Sequence, residues 1–161
     1  EGFNLEDIVF ISTAIDEEMK NTRVQVNDIL FNITGGSIGR CRYVDESLGK
    51  ANVNQHVCIV RPKNIQTLFL FYYLQSTIGQ NQVQVLQTGG NREGLSAYAF
   101  GLFKILLPPL TEQRAIADYL DRKCAEIDEL IAIKQQKIEA LKEYKKSVIF
   151  EYVTGKKEVG K

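Results

Sequence analysis

This 161-residue chain contains no tryptophan, one histidine and one methionine. With a single histidine, any Ser–His or Cys–His machinery has to run through His56. Its neighbours Val57 and Ile59 mark that residue as a strand member or polar contact rather than a catalytic base. Cysteine is nearly as sparse. Cys41, Cys58 and Cys124 stand alone with no C-x-x-C pair, which suits a reducing compartment and argues against a disulfide framework or a zinc site. Of the three prolines, Pro62, Pro108 and Pro109, none is followed by aspartate. Asp121-Arg122-Lys123 therefore has the D-x-K spelling of many nucleases without the preceding Pro-Asp, and reads as a solvated helix face. The turn Gly36-x-x-Gly39 lacks both the dinucleotide fingerprint and the Lys-Ser/Thr of a phosphate loop. No carboxylate–histidine set has metal-ligand spacing. The expectation is a non-catalytic protein with no metal and no cofactor. No apolar run approaches a membrane span and nothing reads as a leader, so the expected location is cytoplasmic, away from membranes.

Charge of one sign is missing only from the total, which holds 20 basic and 20 acidic residues. Residues 1–28 carry seven acids against two bases, and residues 29–110 carry seven bases against three acids. The middle of the chain is thus mildly basic, a bias compatible with phosphates.

What is present falls into two textures. Up to about residue 109, short apolar runs alternate with Gly, Asn and Ser. Val24–Ile33 reads as a strand, Gly35–Gly39 as a turn, Arg40–Val44 as a second strand, and His56–Val60 as a third. Asn64 is placed to cap a helix running to about Thr77 and ended by Gly79. Val83–Leu86 and Phe103–Leu107 read as further strands, with a Gly-rich loop at Thr88–Gly94 and a helical turn at Ser96–Gly101 between them. This is an α+β plan: a small mixed α/β domain over 1–109, followed by a long helix over 110–154 and a tail over 155–161.

The helix is signalled by a change of period after Pro109. Thr111 sits where an N-cap belongs, and Glu112 favours the helix dipole. Alternating spacings of four and three pick out Leu120, Cys124, Ile127, Ile131, Lys134, Ile138, Leu141, Lys145, Val148 and Tyr152 as a coiled-coil seam. A helix of about 40 residues would be roughly 60 Å long. Its apolar stripe requires a partner helix, because one amphipathic helix has nowhere to bury it. The seam lysines, Lys134 and Lys145, cost stability and set register.

The loops of the first part carry hydrogen-bonding side chains, among them Asn32, Thr34, Ser37, Arg40, Asn54, Gln55, Asn91 and Arg92. Asn and Gln pair with adenine edges, Arg with guanine edges, and Ser or Thr with bases or phosphates. Such residues also favour turns. Chemistry and loop position select Ser37, Arg40, Asn54, His56, Asn91 and Arg92 as candidate DNA contacts.

The junction adds a resemblance. Pro108-Pro109-Leu110-Thr111-Glu112-Gln113-Arg114-x-Ile116, directly after Ile105-Leu106-Leu107, resembles the DNA specificity subunits of type I restriction–modification systems. In these, a P-P-L-x-E-Q-x-x-I stretch leads from a target recognition domain into a long helix. Asp28-Ile29-Leu30 with Gly36-Ser37-Ile38-Gly39-Arg40, the Gly90–Ser96 loop and Val153-Thr154-Gly155-Lys156 are similar to further parts of the family pattern. The resemblance implies a non-catalytic subunit that reads half of a bipartite site in double-stranded DNA. It also implies partners: a methyltransferase (modification) subunit, a restriction subunit, and a second recognition half or a homodimer paired through the long helix. With one recognition domain and one helix, the chain reads as about half of such a subunit. The competing expectation is a coiled-coil assembly adaptor whose globular part binds protein; an enzyme ranks third.

Overall fold

The computed structural model describes residues 8–87 and 94–160. Its elements in chain order are α1 (Thr13–Glu18), β1 (Ile29–Asn32), β2 (Cys41–Tyr43), β3 (Val57–Val60), α2 (Thr67–Gln75), α3 (Thr77–Leu86), α4 (Ala97–Gly101) and α5 (Leu110–Val153). The described residues divide into two compact units, one ending at Asp118 and one running on from Tyr119. The first nine residues of α5 thus belong to the first unit and the rest to the second.

The strands form one antiparallel sheet in the order β2-β1-β3. In register, Ile29 faces Tyr43 and Val60, and Phe31 faces Cys41 and Cys58. Ile29 and Phe31 are fully buried while Leu30 and Asn32 are half-buried, the period of two that puts one face of a strand against a core. That core is completed by Leu70, Phe71, Leu74, Val83, Leu95 and Ala99. Phe31 meets Phe100 edge-on at 4.9 Å, and Tyr43 meets Phe71 at 5.3 Å. These are the offset geometries that ring quadrupoles favour.

The first strand is shorter than its pattern predicts. Asn27 is left-handed (φ 70°), Asp28 N–H bonds back to Gln25 O, and the Asp28 carboxylate accepts from Gln25 N–H at 2.6 Å. Residues 24–28 are therefore a turn, tied by Val24 N–H to Ala51 O. Asp28 itself is 1% exposed and holds the Arg61 guanidinium through two 2.7 Å bonds.

Four other expectations are corrected. Asn64 does not cap the second helix; it occupies the left-handed region (φ 62°), which Asn tolerates, and Gln66 caps instead by accepting Phe69 N–H. Gly79 does not end that helix, and Val83–Leu86 is no strand. Ser76 both closes α2 and opens α3, donating to Tyr73 O and accepting from Gly79 N–H. A β-carbon on Gly79 would lie 2.4 Å from Tyr73 O, so glycine is there to let two helices touch. Gly79 and Val83 are buried four residues apart, a helical spacing that outweighs the local alternation of Val83-Gln84-Val85. Phe103–Leu107 has strand-like residues but joins no sheet. Its backbone at Lys104 is instead bonded by the Gln82 carboxamide in both directions, at 2.7 and 3.0 Å, and by Tyr73 Oη at 2.8 Å.

The last helix runs unbroken for 44 residues. It starts two residues earlier than a Thr111 cap would set, because Gln113 N–H already bonds Pro109 O and Leu110 is its first residue. Gln113 is 3% exposed; its Oε1 accepts from Gln66 N–H at 2.9 Å and its Nε2 donates to Pro108 O at 2.8 Å. One buried carboxamide thus fastens the start of α5 to the start of α2. In the second unit the seam residues Ile127, Ile131, Ile138, Leu141 and Tyr152 are exposed, as are Lys134 and Lys145, while Leu120, Cys124 and Val148 are half-buried. Gly155 (φ 73°) follows the last turn. Among the described residues no helix is long and apolar enough to cross a membrane.

Candidate nucleic-acid interface

Antiparallel pairing brings two of the polar loops to one end of the sheet. Residues 33–40 leave the end of β1, and residues 52–56 enter β3 beside it, since Asn32 is paired with Val57. Ile33 N–H bonds His56 O, and Leu95 N–H bonds Ile33 O at 2.8 Å. A bridge between Thr34 and Gly94 brings Gly94 to the same place. Of the six candidate contacts, Ser37, Arg40, Asn54 and His56 stand on this edge. Asn91 and Arg92 lie outside the described residues.

Each of the four has a local partner that fixes it. Ser37 Oγ accepts from Asn32 Nδ2 at 2.9 Å. Asn54 Oδ1 accepts from His56 N–H at 3.0 Å, an Asx turn that shapes the 54–56 corner. His56 Nδ1 is 2.6 Å from Thr34 Oγ1, and its Nε2 is 3.3 Å from Gln55 Nε2. The backbone of Arg40 is held by Asn32 and Ser37, whereas its exposed guanidinium meets no carboxylate among the described residues. Gly39 is left-handed (φ 86°), and its carbonyl accepts from Gln80 Nε2 at 3.0 Å, which braces the hairpin turn against α3.

This edge is built of donors and acceptors, and among the described residues no carboxylate is bonded to the histidine. Cys41 and Cys58 offer no nucleophile. Burial pushes the Cys41 thiol up to about 12 and raises Cys58 in the same direction, so neither is a thiolate at neutral pH. Among the described residues no three His, Cys, Asp or Glu side chains are grouped to hold a metal ion. A shallow groove of about 260 Å³ between α3 and residues 102–104 lies apart from this edge, and Lys104 is its only titratable lining residue. The polar end of the sheet gathers donors and acceptors of the kind that base edges pair with.

The family model of the type I restriction modification DNA specificity domain matches residues 4–143. The chain belongs to that family. Similar relatives include the type I restriction enzyme EcoKI specificity subunit of Escherichia coli K12, 27% identical over 165 residues. That match covers 96% of this chain and 33% of the relative. The StySPI specificity subunit of Salmonella potsdam is 25% identical over 95% of this chain and 33% of its own length. The MjaVIII specificity subunit of Methanocaldococcus jannaschii is 33% identical over 61% of this chain and 22% of its own length. This specificity domain therefore spans about one third of the length of the first two relatives. Its matched stretch includes the polar edge, the Gln113 junction and most of α5. Thr34 and Gln55, the partners of His56, belong to the same polar loops in sequence, but nothing in their spacing says that one histidine bridges them.

Proposed function

We propose that this chain is a DNA sequence-recognition part of a type I restriction–modification specificity subunit, carrying out no chemistry itself. Residues 1–109 are its target recognition domain, 110–154 its spacer helix and 155–161 a tail. The match of the specificity-domain model across residues 4–143 carries the reading. The polar sheet end supports it, since loops that vary in hydrogen-bonding residues on a fixed sheet are suited to base-edge readout. Ser37, Asn54, Asn91 and Arg92 contact bases or sugars in this reading, His56 stands among them holding its neighbours in place, and Arg40 neutralises a phosphate. Double-stranded DNA lies against this edge. A methyltransferase subunit and a restriction subunit dock to the protein in the cytoplasm and supply methylation and cleavage. The exposed apolar stripe of α5 pairs with a second helix, from another recognition half or another copy.

The test is to map methylated motifs in cells carrying the intact system, before and after exchanging residues 33–40 and 52–56 for those of a relative. A bipartite motif in which only one half changes is expected. A motif unchanged by the exchange would move recognition elsewhere and favour the adaptor reading.

A further inference from the structure

Resting on the DNA-reading assignment, we propose that His56 is a positioning residue that orients Gln55 to accept from an exocyclic base amine, on adenine or cytosine. The ring sits between two loops. Its Nδ1 is 2.6 Å from Thr34 Oγ1 and its Nε2 is 3.3 Å from the Gln55 amide nitrogen. Its backbone is fixed at both ends, with N–H donated to Asn54 Oδ1 and the carbonyl accepting from Ile33 N–H.

The protons follow from the inventory of groups. A carboxamide nitrogen only donates, so His56 Nε2 accepts. A neutral imidazole has one N–H, which then resides on Nδ1 and is donated to Thr34 Oγ1. Two consequences face outward. The Thr34 hydroxyl proton is left free to donate away from the ring. Gln55 Oε1 has no partner among the described residues and stands on an exposed side chain. An unanchored glutamine offers either its oxygen or its NH₂ to a base, and so accepts most edges. Giving one N–H of the NH₂ to the ring stops the amide from flipping, so the oxygen keeps one place and the second N–H another. In the major groove an acceptor held at that place is matched by adenine N6–H₂ or cytosine N4–H₂ and meets guanine O6 or thymine O4 unfavourably. Thr34 and Gln55 lie on opposite sides of the ring, so they serve neighbouring groups along the duplex rather than a single base.

Two substitutions separate the two ring contacts. In His56→Asn the amide nitrogen takes the place of Nδ1 and still reaches Thr34, while Gln55 loses its anchor. In His56→Gln the amide oxygen takes the place of Nε2 and keeps the anchor. Each is introduced into the full-length subunit assembled with its methyltransferase, and base preference is read from methylation of a randomised duplex pool. At one position of this half-site, the wild type is expected to favour A or C over G or T by about tenfold. His56→Asn should bring that ratio near one and leave other positions unchanged, whereas His56→Gln should keep most of it. Gln55→Glu in the His56→Asn background should restore it, because a carboxylate accepts in either orientation. An unchanged ratio in His56→Asn, or equal loss in both variants across every position, overturns the proposal. A wild type with no preference anywhere in the half-site would instead sink the DNA-reading assignment itself.

Discussion

Asp28 and Arg61 form a pair whose two members are unequally placed: the carboxylate is 1% exposed and the guanidinium side chain 43%. Removing one partner therefore costs different amounts. Arg61→Ala strands a buried carboxylate with one N–H donor, from Gln25, and should destabilise the fold by about 3 kcal/mol. Asp28→Asn leaves an arginine that water can reach, and should cost about 1–2 kcal/mol. Chemical denaturation of both variants checks the order, and equal losses would show that the pair is solvated as a whole. Asp28 is legible in sequence as part of a D-I-L motif, but its partner 33 residues away is not, because no local pattern encodes which surface arginine folds over a turn. The same limit applies at the polar edge. Ser37, Arg40, Asn54 and His56 are found by asking which loop residues carry hydrogen-bonding groups, whereas the Thr34–His56–Gln55 chain needs the register of β1 against β3. Gln113 shows the converse. Its motif is conspicuous in sequence, yet its work is structural, fastening α5 to α2 from a buried position.

Elements are fixed by what they touch as much as by what they contain, and α3 is the clearest instance. Val83-Gln84-Val85-Leu86 has the alternation and β-branching of a strand, but Gly79 and Val83 share a helical face packed on α2. Gly79→Ala would drive a β-carbon to 2.4 Å from Tyr73 O and 2.7 Å from Leu74 O, both backbone atoms that cannot step aside. The expected cost is about 3 kcal/mol, lowering Tm by roughly 5–10 °C, readable by thermal melting. Helix α1 is attached by charge instead. The Arg23 guanidinium first, and the Asn52 amide after it, hold the Asp16 carboxyl below its ordinary value of 3.8. A folded pKa below the unfolded one means that this contribution is complete above about pH 4 and fades as pH falls through the folded value. The Tm difference between wild type and Asp16→Asn should accordingly hold down to about pH 4 and shrink as pH falls from about 4 towards 2. A difference that stays constant over that range would show that the Arg23 contact is not linked to proton binding. Phe103–Leu107 repeats the lesson of α3: strand-forming residues become an extended tether once side chains of α2 and α3 take their backbone groups.

At the scale of the molecule the open question is what covers α5. The helix itself is fully legible, because 44 residues without an internal proline or glycine leave only the ends to be misjudged, and those shift by one or two residues. Ion pairs such as Lys142–Glu139 and Lys146–Glu143 support the helix locally but, being exposed, contribute only about 0.3–0.5 kcal/mol each. They do nothing for the stripe of Ile127, Ile131, Ile138 and Leu141, which remains exposed in the single chain. Lys134 and Lys145 interrupt that stripe at seam positions, where a buried ammonium is costly unless it snorkels or finds a carboxylate in the partner helix. If α5 pairs through this seam, Lys134→Leu with Lys145→Leu replaces two costly positions with apolar ones. The pair should then tighten by about tenfold or more in dissociation constant, with register and strand number freed from the restriction that polar seam residues impose. Analytical ultracentrifugation of the 161-residue chain across a concentration series measures both. A wild-type chain that stays monomeric at tens of micromolar, or a double variant with the same mass and affinity as wild type, would place the two lysines outside any seam. In that event the apolar stripe would have to be assigned to a different partner surface, and the spacing of the recognition domains could no longer be argued from this helix.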